Sequence, residues 1–175
     1  MKERDTMPFD KNFAPALRFA VMSDIHIDDE DCIEEQRLAK ALDDLKNLCS
    51  SDERDSGFDA LVIVGDFASR GSEIQMRKVK KILDAGLPAD VRLIMTMASH
   101  EYMTDGEENA LRRFDEIFGL TPDTHAVING FDFIAVTTTR GCHFDDKKRG
   151  FISAELEKAA ERDGKKPIFF FQHPH

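Results

Sequence analysis

The sequence predicts an α/β domain whose sheet is largely parallel, with one antiparallel excursion. Two observations carry the prediction. Apolar runs of strand length alternate with stretches whose apolar residues recur at three- and four-residue steps, in the order β-α-β-α-β-α, then a hairpin, then α-β. The runs are strongly apolar, as befits parallel strands covered by helices on both faces.

Leu17 to Ile27 opens apolar and closes on Asp, His and acidic residues, which reads as a buried strand with a polar C-terminal end. A helix is expected from about Ile33 to Cys49, with Leu38, Leu42, Leu45 and Cys49 on one face. Asp59 to Phe67 is a second buried strand, closed by Gly65-Asp66. Ser72, with Gln75 three residues on, has the form of a capping box. The helix it opens runs through Val79, Ile82 and Leu83 to Gly86, ahead of Pro88. Val91 to Met97 is a third strand and runs into Ala98-Ser99-His100-Glu101. A helix from about Glu107 to Phe118 carries Ala110, Leu111, Phe114, Ile117 and Phe118, with Gly119 as its cap. Thr124 to Ile128 and Phe131 to Thr137 flank Asn129-Gly130, the strongest short signal for a hairpin. Ser153 is expected to cap a helix ending near Gly164. Pro167 to Phe171 is the last strand and leads into Gln172-His173-Pro174-His175.

At 175 residues, 41% hydrophobic and 33% charged, the chain has the composition of one globular domain able to bury most of its apolar surface. Residues 1–16 read as a polar N-terminal segment ahead of a domain spanning 17–175. A formal net charge of −10 with no basic stripe argues against a nucleic-acid partner. A phosphate substrate stays compatible with that charge, because bound cations supply positive charge locally. Cys32, Cys49 and Cys142 are odd in number and lack CxxC spacing, so free thiols in a reduced compartment are expected. No signal-peptide-like or membrane-spanning stretch occurs, from which a cytoplasmic location without a membrane partner is expected. Oligomeric state is not legible. Neither GxGxxG nor GxxxxGK[ST] follows any strand, which counts against an unrelated nucleotide-binding domain.

Four apolar strands end in potential metal ligands: Asp24-Ile25-His26, Gly65-Asp66, Ser99-His100-Glu101 and His173. Each alone has an ordinary structural explanation, since Gly-Asp is usually a turn and a lone His a satisfied surface or core residue. Four in order are another matter, because ligands of parallel sheets gather beyond the carboxyl ends of the strands. Carboxylate and imidazole suit first-row divalent ions such as manganese, iron or zinc. Asp24 and His26, at positions i and i+2 of a strand, would point the same way and grip one ion together. Asp66 has two oxygens with which to bridge two ions about 3.5–4 Å apart. His100 would then protonate a leaving alkoxide or steady developing charge. His125 reads as structural or exposed, His143 as part of a surface loop or of one bordering a substrate cleft, and Arg70 as solvated surface or a contact to a substrate phosphate. The acidic runs Asp28–Asp31 and Asp52–Asp55 read as loops and caps.

In these blocks the chain resembles the metallophosphoesterases, the calcineurin-like phosphatase superfamily. Their signature is D-x-H, GD, GNH followed by Asp or Glu, a His after a later strand, and GHxH. Here the blocks are Asp24-Ile25-His26, Gly65-Asp66, Ala98-Ser99-His100-Glu101 and His173, spread from about Leu17 to the end. The resemblance implies a β-sandwich flanked by helices, two divalent metal ions and a small-molecule phosphoester substrate: a phosphomonoester, a phosphodiester or a nucleotide. By position it implies Asp24 and His26 as ligands of the first metal, Asp66 as the bridge, His173 as a ligand of the second and His100 as the catalytic histidine. If Pro174 is matched to the family's frequent H-x-P, Gln172 takes the ligand position instead; His173 is the better chemistry.

Two departures bear on activity. Ser99 stands where the family has a metal-binding Asn, and Ala98 where it has Gly. A hydroxyl is shorter and a poorer donor than an amide oxygen, so a weaker second metal site is expected. The sequence also ends at His175, ahead of any GHxH, from which the family draws one more ligand for each metal. An incomplete C-terminal part with weak turnover is therefore expected. A catalytically impaired fragment or pseudoenzyme, with weak or single metal binding, is the alternative.

Overall fold

Two three-stranded sheets lie face to face, with helices against both outer sides. The computed structural model describes residues 15–50, 57–138, 143–162 and 166–173. The first sheet contains β1 (Phe19–Met22), β2 (Ala60–Val64) and β3 (Arg92–Thr96), parallel and in that order. The second contains β4 (Thr124–Ile128), β5 (Phe131–Ala135) and β6 (Ile168–Phe171). There β4 and β5 form the antiparallel hairpin and β6 runs parallel to β5. The helices are α1 (Ile33–Ser50), α2 (Glu73–Gly86), α3 (Glu107–Phe118) and α4 (Asp146–Ala160), with a 3₁₀ turn at His100–Tyr102.

Alternation along β2 divides the core in two. Ala60, Val62 and Val64, with Phe19 and Ile94, face Phe133, Ala135, Phe169 and Phe171 of the second sheet. Phe19 meets Phe133 and Phe169 edge-on, at 5.1 and 4.8 Å between ring centroids. Leu61, Ile63 and Met95 point the other way and pack with Leu38 and Leu42 of α1, Met76, Val79 and Leu83 of α2, and Phe114 and Phe118 of α3. The outer face of the second sheet is bound to α4 and its C-terminal flank by charge. His125 lies 2.7 Å from both Glu155 of α4 and Asp132 of β5, and Arg162 contacts Asp132.

Local signals act as expected in most elements. The Ser72 hydroxyl accepts from Gln75 N, and the Gln75 side chain accepts from Ser72 N, completing the capping box of α2. Asn129 and Gly130 both take positive φ, as a two-residue hairpin turn requires. The sandwich implied by the family resemblance is present; periodicity alone pointed to no division of the strands between two sheets. One helix starts elsewhere than expected. α4 begins at Asp146, not after Ser153, because the Asp145 carboxylate accepts from Lys148 N and caps it eight residues earlier. Gly150 in its interior and the polar run before it hide this helix from a periodicity argument. The run Asp52–Asp55, Cys142, Gly164, residues 174–175, the side chain of Cys49 and nearly all of the N-terminal segment fall outside the described residues. Cys32 is a free thiol. No helix among the described residues is long and apolar enough to cross a membrane.

Candidate metal centre

The backbone brings the strand ends together before any side chain does. Beyond β1 the chain turns across the loop that follows β2: His26 N donates to Asp66 O, Ile27 N to Phe67 O, and Ser69 N to Ile27 O. This zipper sets the Asp24–His26 segment beside Asp66. It also corrects the strand argument for Asp-x-His, because β1 ends at Met22 and neither residue lies on a strand. Asp24 and His26 have φ of 54° and 53°, and Asp66 has 50°. Left-handed backbone is uncommon outside glycine, and its concentration here marks a loop geometry imposed by the surrounding fold.

Three of the expected ligands converge. One donor atom each from Asp24, Asp66 and His173 falls within 4.8 Å of the others. His173 Nε2 is 3.4 Å from Asp66 Oδ2 and 3.8 Å from Asp24 Oδ1. His26 Nε2 is 3.8 Å from the same Asp24 oxygen. Asp66 and His173 are largely sheltered, whereas the Asp24 side chain is 55% exposed, so the cluster is open on the β1 side. His173 arrives from the second sheet, and its Nδ1 donates to Val64 O at 2.8 Å, which leaves Nε2 with its lone pair toward the carboxylates. A ring nitrogen tied to a carbonyl behind the ligating one is the usual arrangement of a metal-binding histidine. Gln172, the other residue considered for that role, is exposed. Carboxylates and imidazole with accepting atoms turned inward thus fit a first-row divalent ion.

Gly65 makes room for this convergence. A Cβ at that position would lie 2.5 Å from Ala98 Cβ and 3.0 Å from His173 Cβ, and its φ is +65°. Ala98 lies two residues beyond β3, in the segment that carries Ser99 and His100. Ser99 is helical, opens the 3₁₀ turn and makes no capping bond with its side chain. His100 N donates to Asp66 Oδ1 at 3.3 Å, and its Nδ1 donates to Ser69 O at 2.7 Å. Its ring stands edge-on to that of His26, 4.6 Å between centroids. His100 therefore borders the cluster with its Nδ1 committed to Ser69 O.

Glu101, one of the strand-end acids, turns out not to face the cluster. It is fully buried, accepting from Asp66 N and Ala98 N on one oxygen and from Ala68 N on the other, at 3.0, 2.8 and 3.0 Å. Burial pushes its carboxyl up to about 7, against the pull of those amides. The role of Ser69 was invisible in the sequence, because its contribution to the His100 contact is a main-chain carbonyl. His125, outside the centre, is structural, as its bridge between two carboxylates shows.

Comparison with known proteins agrees with this geometry. No curated protein matches the sequence. The family model for the calcineurin-like phosphoesterases matches residues 17–173, which includes every strand-end block described above. The chain therefore belongs to the calcineurin-like phosphoesterase family, whose members are metal-dependent phosphoesterases.

Proposed function

We propose that this chain is a phosphoester hydrolase built on a dinuclear metal centre. Asp24, His26 and Asp66 would hold the first ion, with Asp66 shared, and His173 the second, assisted by Ser99. The observation that carries the reading is the convergence of Asp24, Asp66 and His173 from three separate strand ends and two sheets. Divalent ions bound there would supply positive charge against the phosphoryl oxygens and lower the pKa of a nearby water.

The residues of the chain supply position and protons. Asp66, pinned by its own amide and by that of His100, holds its carboxylate in one orientation. His173 is oriented by Val64 O and His100 by Ser69 O, so neither ring needs to reorganise during reaction. With Nδ1 committed to Ser69, Nε2 is the atom of His100 through which a proton would pass to the leaving alkoxide. The open side at Asp24 is where a substrate would enter. A small phosphomonoester, a phosphodiester and a nucleotide all suit this chemistry.

One observation favours a second reading, an impaired domain with a single tight ion. Ser99 offers only a hydroxyl where the family signature has an amide. Metal stoichiometry after reconstitution with Mn²⁺, with hydrolysis of an aryl phosphate and a bis-aryl phosphate measured in parallel, separates the two. Two ions and turnover support the dinuclear hydrolase; one ion without turnover supports the impaired domain. No ion at all removes both.

A further inference from the structure

Glu101 lies behind the candidate centre and meets none of the atoms that a substrate would touch. Its side chain is 0% exposed, and its carboxylate accepts from three main-chain amides. A buried carboxyl is costly to desolvate, and a purely space-filling role would be better served by an apolar side chain. What surrounds it is a ring of main-chain donors from two loops. Asp66 N and Ala68 N come from the loop after β2, and Ala98 N from the segment after β3. The left-handed turn at Gly65 and Asp66 puts two alternate amides of the first loop on the two oxygens of one carboxylate. The far end of that loop is pressed against the same residue: a Cβ on Gly71 would sit 1.9 Å from Glu101 O.

We propose that Glu101 is a positioning residue for Asp66, gathering the amides of Asp66, Ala68 and Ala98 and so fixing the Asp66 carboxylate for metal. This rests on the metal-centre reading above. The geometry couples two effects. Glu101 sets the backbone angle from which Asp66 reaches the centre, and it also fixes the segment after β3, which carries Ser99 and His100. A glutamine has one accepting oxygen in place of two. If that oxygen serves Asp66 N and Ala98 N, the amide NH₂ is left facing the N–H of Ala68, and the loop must shift.

The test is Mn²⁺ titration of the whole chain, followed by calorimetry and electron paramagnetic resonance, alongside thermal unfolding of the metal-free protein. Glu101→Gln is expected to bind Mn²⁺ about 10–100-fold more weakly. Its metal-free melting temperature should change little, because removing a desolvated charge offsets one lost hydrogen bond. Tyr102→Phe is the control from the same 3₁₀ turn, since the Tyr102 hydroxyl is buried without a partner among the described residues. It should bind as the parent chain does. Unchanged affinity in Glu101→Gln overturns the proposal, and so does a loss of metal-free stability with affinity intact, which would assign Glu101 to the scaffold alone. If Glu101→Gln does not fold, Glu101→Asp replaces it. That variant keeps the charge one methylene short of the amides, and parent-like affinity in it likewise overturns the proposal. Failure of the parent chain itself to take up Mn²⁺ would instead remove the metal-centre reading, and this proposal with it.

Discussion

The imidazole of His173 gives its Nδ1 proton to the carbonyl of Val64, 2.8 Å away, and so ties the last strand of one sheet to the middle strand of the other. Thr138, beyond β5, holds His173 within their own sheet, its hydroxyl donating to His173 O at 2.8 Å. A ligand candidate is thus also a clasp between the two layers.

Replacing His173 with alanine should therefore have two separable effects. Metal affinity should fall at least 10-fold, since a ligand is removed where changes behind a ligand already cost about 10–100-fold. Stability of the metal-free protein should drop by about 0.5–1.5 kcal/mol for the lost hydrogen bond. Metal titration and urea unfolding read the two effects independently.

His100→Ala should lower turnover by about 10²–10⁴-fold, the range associated with a positioned acid or base. Metal uptake should stay at the parent level, because His100 is outside the group that converges on the ion. Comparable losses of metal and rate would make His100 a ligand instead.

Ser99→Asn should tighten the second metal by about 10-fold or more, because an amide oxygen reaches farther and donates better than a hydroxyl. Turnover should rise with occupancy. No change in either quantity would show that Ser99 is not at a ligand position.

The charge bridge under α4 makes an acid-stability prediction. Burial works against ionisation of Asp132, but hydrogen bonds from His125 and Arg162 outweigh it and hold the carboxyl below its usual 3.8. Lys158 and then His125 hold Glu155 below 4.5. Groups with depressed values favour the folded state above their unfolded values and lose that contribution as pH falls through the folded ones. The protein should be progressively destabilised below about pH 4.5, the region set by those unfolded values. His125→Gln should flatten this acid limb while costing about 1.5–3 kcal/mol at neutral pH. Urea midpoints between pH 6 and pH 3 would check both.

Much of the site was legible because the relevant signals are local or strictly ordered. The capping box at Ser72, the Asn129-Gly130 turn and the apolar runs ending in Asp and His each depend on a few adjacent residues. Convergence of the ends followed from the general rule about parallel strands. What escaped was information carried by the backbone. Asp24 and His26 meet through left-handed turns and a zipper to the β2 loop, not through strand alternation, and no residue pattern announces that. Glu101 is one acid of a strand-end cluster in the sequence, and nothing local announces that burial turns it toward amides. α4 was misplaced because a glycine and a charged run obscured a helix whose start is set by one aspartate, Asp145.

The spacing at Gly65 has a consequence for how this centre can change over time. Positions 65 and 98 share a volume that admits one methyl group, and Ala98 already fills it, 2.5 Å from where a Cβ on residue 65 would stand. Where the family signature carries glycine at the position of Ala98, one obstacle to a side chain at 65 is absent. Here that obstacle stands: any side chain at 65 must wait for a reversal at 98, and even then meets His173 at 3.0 Å. The pair acts as a ratchet, and a substitution that touches no ligand narrows the paths by which the ligands themselves can be rearranged.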